Sequence, residues 1–173
     1  MKLQLPLKTI QRLKRELRGR TREIGGVLVG EHVTNDLFRI VDISVQLSGG
    51  TAAHFIRDPE HHRAFLTDFF SRTRHDYKRF NYLGEWHSHP KFEPLPSGED
   101  FVTMLDLVGD PEVGVNFAVL IIARLHRWGR LELSATLFRS GVMPEPISVE
   151  VDAAPGREPR RSLVWYLLDF IRR

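Results

Sequence analysis

A single α+β domain over residues 1–173, with a mixed β-sheet flanked by helices, is the fold class that three features of the sequence predict. Helical and extended patterns are interspersed without the regular βαβ rhythm of a doubly wound sheet. No internal repeat and no long linker divides the chain. Its 173 residues, 42% of them apolar and 27% charged, suffice to bury a core without disulfides or a structural metal.

Apolar Ile10, Leu13 and Leu17 recur at helical spacing with basic residues between them, which predicts an amphipathic helix at about 7–19, stopped at Gly19. The run EIGGVLVG at 23–30 reads as a strand, and its Gly25-Gly26 pair marks a bulge or a close backbone approach. Residues 37–46 are its hairpin partner across a turn at Thr34, Asn35 and Asp36. Asp58 as N-cap and Pro59 as first helical residue announce a second helix, with Phe65, Leu66, Phe69, Phe70, Tyr77 and Phe80 as its buried stripe. Extended structure returns at 81–89 and stops at Pro90, and a proline-bearing loop leads to a helix at about 98–108. The continuous apolar run 115–123 reads as a strand buried on both faces, 131–138 as a strand with one wet face, and 146–151 as an edge. A helix at 160–172 closes the chain, with Leu163, Val164, Leu167, Leu168 and Ile171 on one side.

The absence of cysteine excludes a disulfide framework and restricts any metal site to histidines and carboxylates. The N-terminus lacks the apolar stretch of a signal peptide, and nowhere do about eighteen apolar residues run together. A cytoplasmic protein is therefore expected. The net charge of +3 comes from arginines near the two ends, which read as solvated helix faces. Neither a membrane nor nucleic acid is an expected partner.

His87 and His89 stand two apart on an extended segment, so strand periodicity turns both imidazoles to one face. Asp100 follows just inside a predicted helix, where the loop can fold it back onto the strand. Two histidines and one carboxylate form a known catalytic zinc set that leaves one position for water. Each piece alone has an ordinary explanation, and Ser97-x-x-Asp100 is close to a capping box. The joint pattern His-x-His-x7-Ser-x2-Asp arises by chance in about one such sequence in a thousand.

Glu23, then His87-Ser88-His89-Pro90, then Ser97 and Asp100 resemble the full signature of the JAMM (MPN-plus) metalloproteases, with the family's spacing. EIGGVLVG and GEWHSHP also resemble the compact bacterial JAB peptidases, and the likeness in order of elements covers about 1–140. The resemblance implies a cytidine-deaminase-like JAMM/MPN domain that binds one zinc ion per chain through His87, His89 and Asp100. It implies Glu23 as general base and Ser97 as oxyanion stabiliser. It further implies hydrolysis of the isopeptide or peptide bond after the C-terminus of a ubiquitin-like protein. Such bacterial members occur with E1- and E2-like enzymes, including those of antiviral operons. A metallopeptidase acting on a sulfur-carrier adduct or small peptide, and a non-catalytic ubiquitin-like binding module, are the alternatives.

Loops 48–57 and 106–114 occupy positions like the family's two insertions beside the substrate tail. Glu85 shares a strand face with His87 and ranks below Glu23 as a base, with orientation of a ligand as its other role. Glu99 is expected to interact with a helix N-terminus, and His54, His61 and His62 to be solvated. Trp86 alternates with the histidines and is expected in the core.

Overall fold

The computed structural model describes residues 1–152, and the helix expected at 160–172 lies outside them. The elements follow as β1 (Lys2–Pro6), α1 (Leu7–Leu17), β2 (Gly25–Thr34), β3 (Leu37–Ile43), α2 (Pro59–Arg72), β4 (Phe80–Ser88), α3 (Gly98–Gly109), β5 (Ala118–Leu125), β6 (Leu131–Arg139), β7 (Val142–Pro146) and β8 (Ser148–Asp152). All eight strands join one mixed sheet in the order β7-β6-β5-β4-β2-β3-β1-β8. β7 and β8 are joined by Ile147 alone yet occupy opposite edges, so the sheet must curl until its two rims nearly meet. The Ile147 amide donates to the Ala135 carbonyl of β6 at 2.9 Å and seals that closure.

β5 divides the core. Its Val119, Ile121 and Ala123 pack with Ile10, Leu13 and Leu17 of α1 and with Trp86. Ala118, Leu120 and Ile122 point the other way, against Met104 and Val108 of α3 and Phe138. The sheet is thus covered on both faces, which is why β5 reads as an unbroken apolar run. β4 and β5 run parallel, with Trp86 opposite Ile121 and His87 opposite Ile122, and α3 is their crossover. That arrangement places the C-terminal end of β4 beside the start of α3, the usual location for a ligand site on parallel strands.

Four local expectations need correction. β1 was not expected, because a five-residue strand ending in proline carries little pattern; it is held by parallel pairing to both β3 and β8. α2 begins as anticipated, with Asp58 accepting from the Glu60 amide at 3.0 Å. It stops at Arg72, however: only Phe69 of the expected stripe is fully buried, Tyr77 is 53% exposed and Phe80 already starts β4. β6 is buried on both faces along much of its length instead of having one wet face. The predicted edge at 146–151 is divided between two strands, β7 ending at Pro146 and β8 starting at Ser148.

Candidate active site

The cleft at the β4–α3 junction has a volume of about 880 Å³. Loop residues 53–57 form one wall, and α3 with Asp110 and Val113 forms the other. Both expected flanking loops therefore border it, although Asp106 to Gly109 belong to the last turn of α3.

His87 and His89 are 8% exposed and share the face opposite buried Trp86, as strand periodicity requires. Trp86 instead donates its indole N–H to the Ser44 carbonyl at 2.9 Å. The two Nε2 atoms stand 3.2 Å apart. His89 Nδ1 donates to the Glu93 carbonyl at 2.9 Å, an acceptor only, so the proton sits there and the Nε2 lone pair faces the cleft. Burial pushes His87 down to about 4, against the opposing pull of Asp100, and keeps its ring neutral.

Asp100 comes to the same point from α3. Its Oδ1 lies 3.3 Å from His87 Nε2. Its Oδ2 accepts from the Ser97 amide at 2.6 Å and the Ser97 hydroxyl at 2.7 Å. Ser97 Oγ in turn accepts from the Asp100 amide at 3.2 Å, so the expected capping box is real and aims one carboxylate oxygen at the histidines.

Glu23 lies just ahead of β2 and is 2% exposed. Its amide donates to the Thr51 carbonyl at 2.7 Å. The next residue, Ile24, donates to Ser88 Oγ at 3.0 Å and accepts from the Ser88 amide at 2.9 Å. Ser88, between the two histidines but facing away from them, thus ties the Glu23 segment to their strand. A side chain at Gly25 would collide with the Trp86 carbonyl and come within 2.9 Å of His87 Cβ, which accounts for the glycine as a close approach. The strand's register irregularities fall elsewhere, at Leu28 to Gly30 and between His32 and Thr34. Glu23 Oε1 is 3.9 Å from His89 Nε2, and burial, reinforced by Asp100, raises its pKa to about 7.

These spacings test the donor set against zinc. Ligand atoms about 2.0–2.1 Å from a tetrahedral ion stand roughly 3.3 Å from one another. The His87–His89 and His87–Asp100 separations, 3.2 and 3.3 Å, meet that value. Among the described residues, the group whose donor atoms all lie within 4.8 Å of one another is Glu23, His87 and His89, in which the 3.9 Å from Glu23 to His89 is longer than shared tetrahedral ligation gives. His87 thus stands at ligand spacing from both His89 and Asp100, and two imidazoles with a carboxylate are donors of the kind that zinc takes.

The other polar residues sort differently from expectation. Glu85 does not touch a histidine; it pairs with Arg57 Nε at 2.6 Å and accepts from the Tyr82 hydroxyl at 3.3 Å. Glu99 stands in the first turn of α3, as expected at a helix N-terminus, and also pairs with His54 across the cleft at 3.1 Å. His61 is exposed as expected, but His62 is 1% exposed, 2.8 Å from Ser44 Oγ and 3.1 Å from Gln46 Oε1. The available signal was Ser44 and Gln46, two polar residues at period two on a strand end. Among the described residues, no helix is long and apolar enough to cross a membrane.

Residues 9–134 match the family described as prokaryotic homologs of the JAB domain. Two relatives named CD-NTase/cGAS isopeptidase are each 36% identical to this chain. The match to the one from Vibrio cholerae serotype O1 spans 88 residues, 50% of this chain and 54% of that protein. The match to the one from Enterobacter hormaechei subsp. hoffmannii spans 63 residues, 36% of this chain and 35% of that protein. The chain thus spans about half or less of the length of these curated relatives. The solution structure of protein DSY2949 from Desulfitobacterium hafniense superposes with a TM-score of 0.65 at 17% identity, covering 88% of this chain and 94% of that one, a likeness of fold. The family match takes in most of the chain, from α1 into β6 and through every residue of the site: this protein belongs to the prokaryotic JAB-domain family.

Proposed function

We propose that this protein is a zinc-dependent isopeptidase that releases a protein joined through its C-terminal carboxyl to a lysine side chain. The observation that carries the reading is that His87 Nε2 stands at tetrahedral-ligand spacing from both His89 Nε2 and Asp100 Oδ1, with buried Glu23 3.9 Å from His89. Those three residues would hold the zinc, which when bound lowers the pKa of water toward ~7 and polarises a carbonyl.

The chain's own groups supply the rest. Glu23, with a carboxyl raised to about 7, is poised both to accept a proton from the attacking water and to deliver it to the departing lysine amine. Ser97 holds Asp100 through the capping box, and its hydroxyl lies on the cleft wall, where it can turn to donate to the carbonyl oxygen as charge builds there. The cleft between loop 53–57 and α3 takes an extended tail and excludes water around the reacting bond.

The relatives' names point to CD-NTase/cGAS as the protein to test first, beside ubiquitin-like proteins and their conjugates. E1- or E2-like enzymes that make such conjugates are the matching partners. The deciding experiment compares the zinc-loaded parent with Glu23→Gln on a CD-NTase whose C-terminus is joined to lysine. The substitution keeps size and removes the proton acceptor, so turnover should fall by roughly 10²–10⁴ with zinc content unchanged. Cleavage by Glu23→Gln at the parental rate removes Glu23 from the chemistry. A parent that holds no stoichiometric metal and cleaves neither this conjugate nor a ubiquitin-like one defeats the reading.

A further inference from the structure

Arg57 is the single lysine or arginine among the described residues that line the cleft. It closes the loop wall, and its Nε lies 2.6 Å from Glu85 Oε1, to which the Tyr82 hydroxyl also donates at 3.3 Å. The Glu85 side chain is only 14% exposed, against 31% for Arg57. Glu85 is two residues before His87 on β4, so the pair sits about 7 Å along the strand from the metal-binding end, on the same face.

We propose that Arg57 is a substrate-binding residue whose guanidinium donates to main-chain carbonyl groups of the extended tail as it enters the cleft. This inference rests on the isopeptidase reading and names what positions the substrate.

Three observations point there. An arginine engaged through Nε keeps its two Nη nitrogens for other acceptors, and among the described residues no carboxylate other than Glu85 pairs with it. Next, the loop has no need of this ion pair as an anchor. Gln46 already donates to the Ser48 and Ile56 carbonyls at 2.8 and 2.9 Å and accepts from the Asp58 amide at 2.8 Å, while Thr51 holds the Glu23 amide at 2.7 Å. Finally, apart from His54, His87 and His89, the remaining ionisable lining is acidic: Glu23, Glu93, Glu99, Asp100, Asp106 and Asp110. An acidic substrate side chain is repelled by that lining, and the charge of Arg57 is balanced by Glu85. What the pair presents is directional N–H donors with little net charge, which suits neutral carbonyl oxygens.

The test measures KM and kcat on the lysine conjugate of CD-NTase, and Kd for a fluorescent tail peptide of the same sequence by anisotropy. Removing a hydrogen bond from a charged donor weakens binding roughly tenfold to a hundredfold, so Arg57→Ala should raise KM and Kd by that factor, with kcat and zinc content close to parental. Arg57→Lys should recover only part of the loss, because a point charge does not replace the planar fork. Since Arg57→Ala leaves Glu85 without its cation, the double substitution Arg57→Ala, Glu85→Gln provides a variant with no unpaired charge, and it should show the same Kd. The inference is overturned if Arg57→Lys matches the parent, if the loss falls on kcat or zinc content, or if the double variant binds the peptide as tightly as the parent. A parent that binds no tail peptide overturns it too. Failure of the isopeptidase reading is separate: it shows as absent turnover by the parent.

Discussion

Acid should destabilise this protein through His62, which the hydrogen bonds around it hold neutral. The Gln46 amide nitrogen donates to two carbonyls, so its Oε1 must face the remaining donors, the Asp58 amide at 2.8 Å and His62 Nε2 at 3.1 Å. Nε2 of His62 therefore carries the proton. Nδ1 is left to accept from the Ser44 hydroxyl at 2.8 Å, whose oxygen accepts from the Val27 amide at 2.8 Å. A second proton on Nδ1 would face the hydroxyl hydrogen and break the chain. Burial pushes His62 from 6.5 down to about 4, with His61 and Arg57 adding to the effect and Asp58 opposing it. Because the folded pKa lies below the unfolded one, the unfolded chain takes up the proton first. Stability is full above about pH 6.5 and falls as pH drops toward 4. The gap corresponds to about 3 kcal/mol in total, most of it lost by about pH 4.5. His62 is 1% exposed, so solvent screening gives no reason for a large discount. Urea unfolding of the parent and of His62→Gln between about pH 7.5 and pH 4.5 isolates the effect. The raised carboxyl of Glu23 acts in the opposite direction and the lowered His87 in the same one, but both cancel in the difference between the two proteins. The parent's advantage should hold above about pH 6.5 and shrink below it. A difference that stays constant with pH would refute the neutral, buried assignment of His62.

Two further outcomes follow from the site. Ser88→Ala removes the hydroxyl that receives the Ile24 amide, so kcat should fall by roughly tenfold or more as Glu23 loosens, while zinc stays bound and Ser88→Thr restores activity; unchanged kcat means the backbone bond alone sets the register. Asp100→Ala should weaken zinc retention in competition with a chelator, roughly tenfold or more, whereas Glu99→Ala, whose carboxylate faces His54, should leave it unaltered; equal retention by both variants excludes Asp100 as a ligand.

The histidine pair is legible in the sequence because strand periodicity alone puts two alternating side chains on one face, whatever the rest of the fold. Asp100 is legible for a related reason: a capping box fixes the first turn of a helix locally, and only the distance to the strand needs the tertiary structure. Glu23 is different. Its partner Thr51 lies 28 residues away, and Ser88, which holds the next residue Ile24, lies 64 from that one, so nothing near Glu23 marks it as buried, and only resemblance singles it out. The same holds for Arg57 and Glu85, which meet because the loop after β3 folds over β4. α2 was over-extended because apolar residues at 77 and 80 continue a helical spacing; Arg74 and His75, with φ of 54° and 56°, turn the chain out of the helix and into β4.

The curled sheet imposes an order of assembly. β1 precedes every other described strand, and it is flanked by β3 on one side and β8, the last described strand, on the other. Its inner edge can pair as soon as residues 37–39 are available, but its outer edge has no partner until residues 148–152 emerge. Until then the chain displays an open strand edge of the kind that templates aggregation. Closing it is a long-range event, because the pairing spans 146 residues from Lys2 to Ser148, and long-range pairings of this kind slow folding. The strand farthest from the histidines in the sheet order is thus the one on which completion of the described sheet waits.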